Sequence, residues 1–450
     1  MNPSGVTTAP PAMLTSACDV LVIGGGPAGS TAAALLAERG YQVTLLEKAH
    51  HPRFHIGESL LPANLPLLEK LGVADAVKAI GMEKWGAEFV SPWHDHKQSF
   101  VFADALDKSM PMAYQVRRSA FDEILLRNAR RKNARVAEGC QVKEVHFLPD
   151  QAGVVAQAHH DDGRTETVTA RFVLDASGRD TFLGNHFKAK QRNIKHNSAA
   201  LYGHFTGAQR NPGKDAGNIT IFWFAHGWFW FIPLSDGTTS VGAVVWPYYL
   251  KTRNKKPLDQ FLHETIALCA PLHQRLQQAQ LVSPVEATGN FSYVCDRTHG
   301  GNYLLLGDAY TFIDPVFSSG VMLAMQSAFV GADTVDTCLR HPQQGAAALK
   351  KFDRSMRIGP QAFSWFIYRV TNPVLRDMFM APRNIFRTKE GLLSVLAGDV
   401  FGKTPVGKPI LVFKLLYYIG SLLNLKRTLK ASQMRKNNIR VVADTGTPMN

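Results

Sequence analysis

Asp19–Val–Leu–Val–Ile23 runs directly into Gly24–Gly–Gly–Pro–Ala–Gly29, and an Ala- and Leu-rich stretch from Ser30 to Arg39 follows. The first five residues are a short apolar run with β-branched members, the pattern of a strand buried on both faces of a parallel sheet. Gly24, Gly26 and Gly29 fit the spacing G-x-G-x-x-G, and the stretch after them has helix-forming composition. A second apolar run, Gln42 to Leu46, ends at Glu47. Strand, glycine turn, helix, strand and acid in this order predict a βαβ unit that binds a dinucleotide. The glycines permit a tight turn and close approach of a pyrophosphate. The helix N-terminus supplies unpaired N–H groups and a favourable dipole. Glu47 can accept hydrogen bonds from ribose hydroxyls. A glycine-rich turn that binds nothing is the competing reading, and the ordered context argues against it.

Around this unit the chain has 450 residues, 45% hydrophobic and 19% charged. That suits one large α/β fold or two to three domains and excludes a disordered or fibrous protein. No uncharged apolar run reaches 18 residues, which excludes a multi-pass membrane protein. The five cysteines, Cys18, Cys140, Cys269, Cys295 and Cys338, are far apart with no CxxC pair. Neither a disulfide scaffold nor a zinc site is expected, and the compartment is read as reducing cytoplasm. Residues 1–17 lack Lys and Arg and contain Pro10–Pro11, so a disordered leader rather than a secretory signal is expected there.

Three further stretches carry a resemblance. Asn302–Tyr–Leu–Leu–Leu306 is a strand followed by Gly307–Asp308–Ala309; Arg117 and Arg118 precede Phe121–Asp122 at a helix start; Val173–Leu–Asp–Ala–Ser–Gly178 is another strand end. From about residue 18 to 335 the chain resembles the FAD-dependent monooxygenase superfamily. The resemblance implies FAD as cofactor, held by Gly24, Gly26, Pro27, Ala28, Gly29, Glu47, Lys48, Arg53, Ser59, Arg117, Gly307, Asp308, Gly320 and Val321. A second glycine motif is absent, so a separate flavin reductase is expected to supply reduced FAD.

Gly227–Trp–Phe–Trp–Phe–Ile–Pro233 narrows the reading. Trp228, Trp230 and Ile232 are spaced by two and share one strand face, which is also the pattern of an ordinary aromatic core strand. The string Trp228-x-Trp230-x-Ile232–Pro233 resembles the W-x-W-x-I-P motif of flavin-dependent halogenases, where it partitions flavin from organic substrate. Lys84–Trp–Gly–Ala, after Gly57–Glu–Ser–Leu–Leu–Pro62, is similar to that family's lysine segment. The resemblance makes Lys84 the relay for hypohalous acid, against the alternative of a solvated strand-edge lysine. Asp314–Pro–Val–Phe–Ser–Ser–Gly320 resembles the stretch leading to a helix beneath the flavin ring, with the halide at Ser319 and Gly320. A plain helix cap uses the same N–H groups. Tryptophan halogenases have a glutamate where this chain has Phe317, so a phenol- or pyrrole-like ring, as in the other branches of the family, is expected in the substrate pocket. His94 and His96 are more economically read as loop histidines.

The net charge is +14, from 50 basic and 36 acidic residues. Residues 341–440 hold 18 Lys or Arg and 4 Asp or Glu, a difference of 14 that equals the whole excess; residues 403–440 hold nine basic residues and no acid. Three readings of this segment compete: a helix covering the cleft with solvated basic residues, docking of an acidic acyl or peptidyl carrier protein, and, more weakly, contact with the inner face of the cytoplasmic membrane. Nucleic acid is excluded for lack of a recognition motif.

The expected architecture is α/β. It has a leader at 1–17 and a core at 18–335, whose nucleotide-binding parts are about 18–80, 110–185 and 290–335. A substrate-side antiparallel sheet is inserted at about 81–109 and 186–289, and a helical basic region follows at 336–450. The expected activity is two-component halogenation of an electron-rich aromatic, free or carrier-tethered, from reduced FAD, O2 and chloride or bromide. An aromatic hydroxylase or other flavin oxidoreductase of the same fold is the first alternative. A catalytically silent flavoprotein docking through its basic tail is the second.

Overall fold

A computed structural model describes residues 13–440 apart from 195, 290, 291 and 403. The opening strand is Met13–Ile23, so the expected leader gives way to a strand at Met13; residues 1–12 lie outside the described residues. The reason is long-range. Met13 to Cys18 pair in parallel register with Thr165 to Ala170, and that partner is not visible from local composition. Val20 to Ile23 then sit in the sheet interior, flanked by Val43–Leu46 and by the end of Thr165–Asp175.

The first sheet is a parallel core of Arg135–Ala137, Val43–Leu46, Met13–Ile23, Thr165–Asp175 and Tyr303–Leu305. An antiparallel meander of Cys140–Phe147 and Val154–His160 is added to the first half of Thr165–Asp175. Helices Pro27–Glu38, Arg118–Arg131 and Gly320–Arg340 cover it, the first packing on each of the other two. Four of the parallel strands end at Ile23, Leu46, Asp175 and Leu305, all on one edge. Ligands of open parallel sheets bind outside that carboxyl edge.

The second sheet has eight strands in the order Gln280–Leu281, Ala199–Thr206, Thr239–Val245, Gly227–Pro233, Ile219–Phe224, Gly86–Val90 and Lys97–Val101, with Glu286–Gly289 also on Ala199–Thr206. All its pairings are antiparallel except Ile219–Phe224 with Gly86–Val90. Along Gly227–Pro233 the two-residue period is obeyed. Phe229 and Phe231 join a core under the helices Leu258–Ala267 and Ala270–Arg275, while Trp228, Trp230 and Ile232 face the other way. On that other face lie Phe317 and aromatic residues of the C-terminal helices, among them Phe363 and Phe379. No single described helix is long and apolar enough to cross a membrane.

Candidate active site

Each glycine of the opening turn has a separate structural reason. Gly24 has φ +102°, and a Cβ there would collide with the Ala176 carbonyl oxygen. A Cβ on Gly29 would strike the Gly24 carbonyl oxygen, so the helix could not lie so close to the strand. Gly26 is different: its nearest neighbour would be the Arg53 guanidinium at 3.6 Å, and the space before it is open. A tight turn, an open approach and a close helix contact are what pyrophosphate binding asks of the three positions.

That open space belongs to a cavity of about 900 Å³ along the carboxyl edge of the first sheet. Gly24, Gly26, Pro27, Ala28, Glu47, Lys48, Arg53, Ser59, Gly307, Asp308, Ser319, Gly320 and Val321 line it, as do Trp228, Trp230 and Ile232. Its length and polar end suit a dinucleotide, and three features fit FAD in particular. Glu47 accepts from the Gly25 and Ala49 amides at 2.5 and 2.8 Å, holding the glycine turn open beside its own carboxylate. Glu58 Oε2 is buried at the cavity wall with no hydrogen-bond partner, while its Oε1 lies 2.8 Å from His204 Nε2. A Cβ at Gly320 would meet nothing within 4 Å, so a flat ring can lie against the start of the Gly320–Arg340 helix. Burial raises the Asp308 carboxyl to about 6, against the pull of Arg118 and Arg179.

Three expected contacts lie outside the cavity lining: Gly29, whose place is the helix–strand contact, Arg117 and Pro233. The Arg117 Nε donates to Asp236 at 2.7 Å and its terminal nitrogen to Thr238 at 2.6 Å. Of the two adjacent arginines it is Arg118 that lines the cavity, gripped by both oxygens of Asp122 at 2.8 and 2.9 Å and donating to the Ile56 carbonyl at 2.7 Å. Arg117 is the extended N-cap residue and Arg118 the first helical one, and the turn of the chain between them sends the two side chains to different partners. Pro233 ends its strand buried but outside the cavity lining. Lys48, at the cavity rim, is paired with Asp180.

Behind the large cavity lies a small one of about 20 Å³, lined by Lys84, Phe89, Phe102, Phe317 and Leu396 among others. Ile219, Ile221 and Ser318 line both cavities. At this point the two cavities are separated by the strand Ile219–Phe224, and Trp228 and Trp230 on the neighbouring strand line the large one. Gly242 lets Trp230 lie flat: the two are paired across strands, and a Cβ at Gly242 would overlap the indole. The indole N–H donates to Ser240 Oγ at 3.1 Å.

Lys84 is 1% exposed, not a solvated edge lysine. It ends the strand Met82–Lys84, which pairs with Ala113–Gln115. The next two amides, of Trp85 and Gly86, both donate to Asn218 Oδ1 at 2.9 and 2.7 Å, tying the segment to the start of Ile219–Phe224. Lys84 Nζ donates to Ser59 Oγ at 2.9 Å and to the Leu60 carbonyl at 3.0 Å, and lies 5.2 Å from the Phe102 ring centroid. No carboxylate pairs with it among the described residues. Burial alone pulls its ammonium down from 10.5 to about 7. Ser59 also lines the large cavity, so one hydroxyl bridges the two compartments.

The loop that closes the partition is held from behind. Asp314 accepts from the Val316 amide at 3.2 Å, and its other oxygen lies 2.8 Å from His196 Nε2 and 3.1 Å from Ser198 Oγ. Ser318 is left-handed at φ +55°, which turns the chain so that Ser319 stands at the N-cap position of the Gly320–Arg340 helix, with no side-chain capping bond. Phe317 is buried among Phe363, Phe366 and Phe379, with ring centroids at 6.4, 6.0 and 6.5 Å. His94 and His96 bond to Ser91 and the Met380 carbonyl and line neither cavity.

A family model described as an FAD binding domain matches residues 17–345. The structure superposes on a myxobacterial chondrochloren halogenase, an FAD-dependent halogenase, with TM-score 0.75 and 32% identity, covering 90% of this chain and 97% of that one. This chain belongs to the flavin-dependent halogenases. A tryptophan 2-halogenase of Chondromyces crocatus is 35% identical over 353 residues, 76% of this chain and 65% of the longer relative, so this chain spans about two thirds of that protein's length. A 1H-pyrrole-2-carbonyl-[peptidyl-carrier protein] chlorinase of Pseudomonas fluorescens is 29% identical over 408 residues, 85% of this chain and 89% of that protein. Sequence reasoning missed Arg118, Ile219, Ile221, His204 and Gly242. Only Gly242 carried a usable signal, an isolated glycine in a strand, which often marks close approach of a neighbour.

Proposed function

We propose that this protein halogenates an apolar, electron-rich aromatic ring of the phenol or pyrrole kind, with Lys84 as the group that hands on the halogen. The observation that carries the reading is Lys84 itself: a buried amine without a carboxylate partner, bonded to a serine that lines the flavin cavity. Bound reduced FAD with O2 would supply the two-electron oxidation of halide to hypohalous acid. The residues of this chain do the rest. Ser319 and the free amides at the start of the following helix hold halide. Ile219, Ile221 and Ser318 keep the ring out of the flavin compartment while leaving a path for a small oxidant. The neutral Lys84 amine takes the halogen from hypohalous acid, forming N–X with release of water. The ring carbon then takes it from nitrogen, the ring proton leaves, and the amine is restored.

Phe317, with Phe89 and Phe102, gives the small cavity an apolar lining and no acid near the ring. A ring activated by its own OH or NH suits such a pocket better than one needing a protein carboxylate. A carrier-tethered ring is the second reading, favoured by the similarity to the pyrrole chlorinase. A separate reductase supplies reduced flavin. The test is to combine the purified chain with a flavin reductase, FAD, bromide and a panel of phenols and pyrroles. Brominated products by mass spectrometry are expected, with negligible NADPH oxidation when the reductase is omitted. Hydroxylated products, or fast NADPH oxidation by the chain alone, would support the hydroxylase reading instead.

A further inference from the structure

Apart from Lys408, Lys414 and Ser421 the helix Gly407–Leu423 has no charged or hydroxyl-bearing aliphatic side chain, and so apolar a helix is ordinarily enclosed by its own protein. Here one side is enclosed. Pro409, Phe413 and Tyr417, four residues apart, are buried against the helices Pro373–Met380 and Thr388–Leu396. The other side is bare. Leu411, Leu415, Tyr418, Ile419, Leu422 and Leu423 are 45% to 82% exposed. The bare ridge continues into the next helix through Leu425 and Leu429. Among the described residues, nine of the nineteen exposed large apolar side chains fall between Leu411 and Met434. That is a contiguous patch rather than ordinary scatter, and patches of this kind mark contact surfaces.

Charge identifies what covers it. Lys408 stands at one end of the ridge and Lys426, Lys430 and Lys436 beyond the other, all exposed. No carboxylate pairs with any of the four among the described residues. Arg427 is the exception in this group, held by Asp377 at 2.6 Å. A second copy of this chain is disfavoured, because two-fold pairing of the ridge brings cations against cations. A protein partner would need hydrogen bonds, about one per 100–200 Å² of interface. The ridge offers none: its one polar side-chain atom, the Tyr418 hydroxyl, is turned back to Trp365 and Arg369 at 3.3 and 3.2 Å. A bilayer with anionic headgroups asks only for apolar side chains to enter it and cations to meet its surface.

We propose that the Gly407–Leu423 helix, with the bent continuation Leu425–Arg440, is an interfacial anchor that lays this protein on an anionic bilayer. The two helices turn by 102° at Asn424, which fits a segment lying along a surface and folding back to the body. The proposal does not depend on the halogenase chemistry, since the ridge lines neither cavity.

The test is co-sedimentation of the full chain with phosphatidylcholine vesicles, with and without about 30% phosphatidylglycerol, at low and high salt. Binding is expected to the anionic vesicles at low salt and to fall steeply at high salt. Leu415→Glu with Leu422→Glu, and separately Lys426→Glu with Lys430→Glu, should each weaken it by about tenfold or more. Flavin binding and circular dichroism should stay unchanged, because both pairs are on the surface. Failure of the wild-type chain to bind anionic vesicles overturns the proposal, as does equal binding by both double variants. It is also overturned if the ridge variants instead dissociate a dimer, or abolish binding to an acidic carrier protein, with no vesicle binding in the wild type.

Discussion

A lysine buried with only neutral acceptors is expensive to keep, and Lys84 is held by Ser59 Oγ and the Leu60 carbonyl alone. Its folded value near 7 lies below the ordinary 10.5, so the cost is full below pH 7, fades as pH rises and vanishes above 10.5. Lys84→Met should therefore be more stable than the wild type, by a few kcal/mol at pH 6 and by less at pH 9; thermal melts at the two pH values read the difference. The same shift places the neutral, nucleophilic amine at physiological pH. Halogenation should rise with pH through about 7 and then level off, and a flat profile from pH 6 to 8 would remove Lys84 from the rate. The glycines give a second contrast. Gly26→Val enters open space, so it should abolish flavin binding while the fold survives; Gly29→Ala, aimed at the Gly24 carbonyl, should cost about 1–3 kcal/mol or more of stability. Absorbance of bound flavin and urea midpoints separate the two outcomes. At this scale the sequence was most readable where chemistry is local. Lys84–Trp–Gly–Ala is a contiguous signal, and Gly86 proves necessary because a Cβ there would strike the Phe100 carbonyl. Arg117 and Arg118 were not separable, because nothing in two adjacent arginines says which one turns toward the cavity.

At the scale of single elements, the partition shows where local pattern runs out. The alternation Trp228, Trp230, Ile232 correctly assigned one face of its strand. Ile219–Phe224 is buried along its whole length, so it has no alternation to read, yet Ile219 and Ile221 are the residues that touch both cavities. The loop from Asp314 to Ser319 depends on a partner far away in sequence, His196, 118 residues before it. Asp314→Ala should loosen the loop, removing a cap interaction of about 1 kcal/mol and the carboxylate partner of His196. The expected result is a raised KM for halide with little change in flavin affinity; an unchanged halide KM would show that the amides at Ser319 and Gly320 are positioned without it. Arg435, from the last helix, lies 3.3 Å from His196 Nδ1 and donates to the Tyr368 carbonyl, so the basic segment reaches the back of this loop. Distance in sequence, not chemistry, hid that connection.

Over the whole molecule, the proposed function assigns oxidation and transfer to two cavities of about 900 and 20 Å³, which adjoin at Ser318, Ile219 and Ile221. The small compartment is too tight for an aromatic ring as it stands, so binding requires the aromatic packing of Phe317, Phe363 and Phe379 to give way. The Rossmann-like parallel sheet, its carboxyl edge and the inserted second sheet were legible from motif order. The start of the first strand was not, because Met13 to Ala17 find their partners about 150 residues later. The division of labour makes a direct demand: halide oxidation must survive loss of Lys84, and transfer to the ring must not. The decisive measurement runs the reductase-fed protein with bromide under two readouts, brominated phenol or pyrrole by mass spectrometry and hypobromous acid by a small diffusible trap. Wild type should give both, and Lys84→Met, with flavin binding intact, should brominate the trap while yielding no brominated ring beyond what free hypobromous acid gives in solution. Ring bromination by Lys84→Met at the wild-type rate and position would contradict the account.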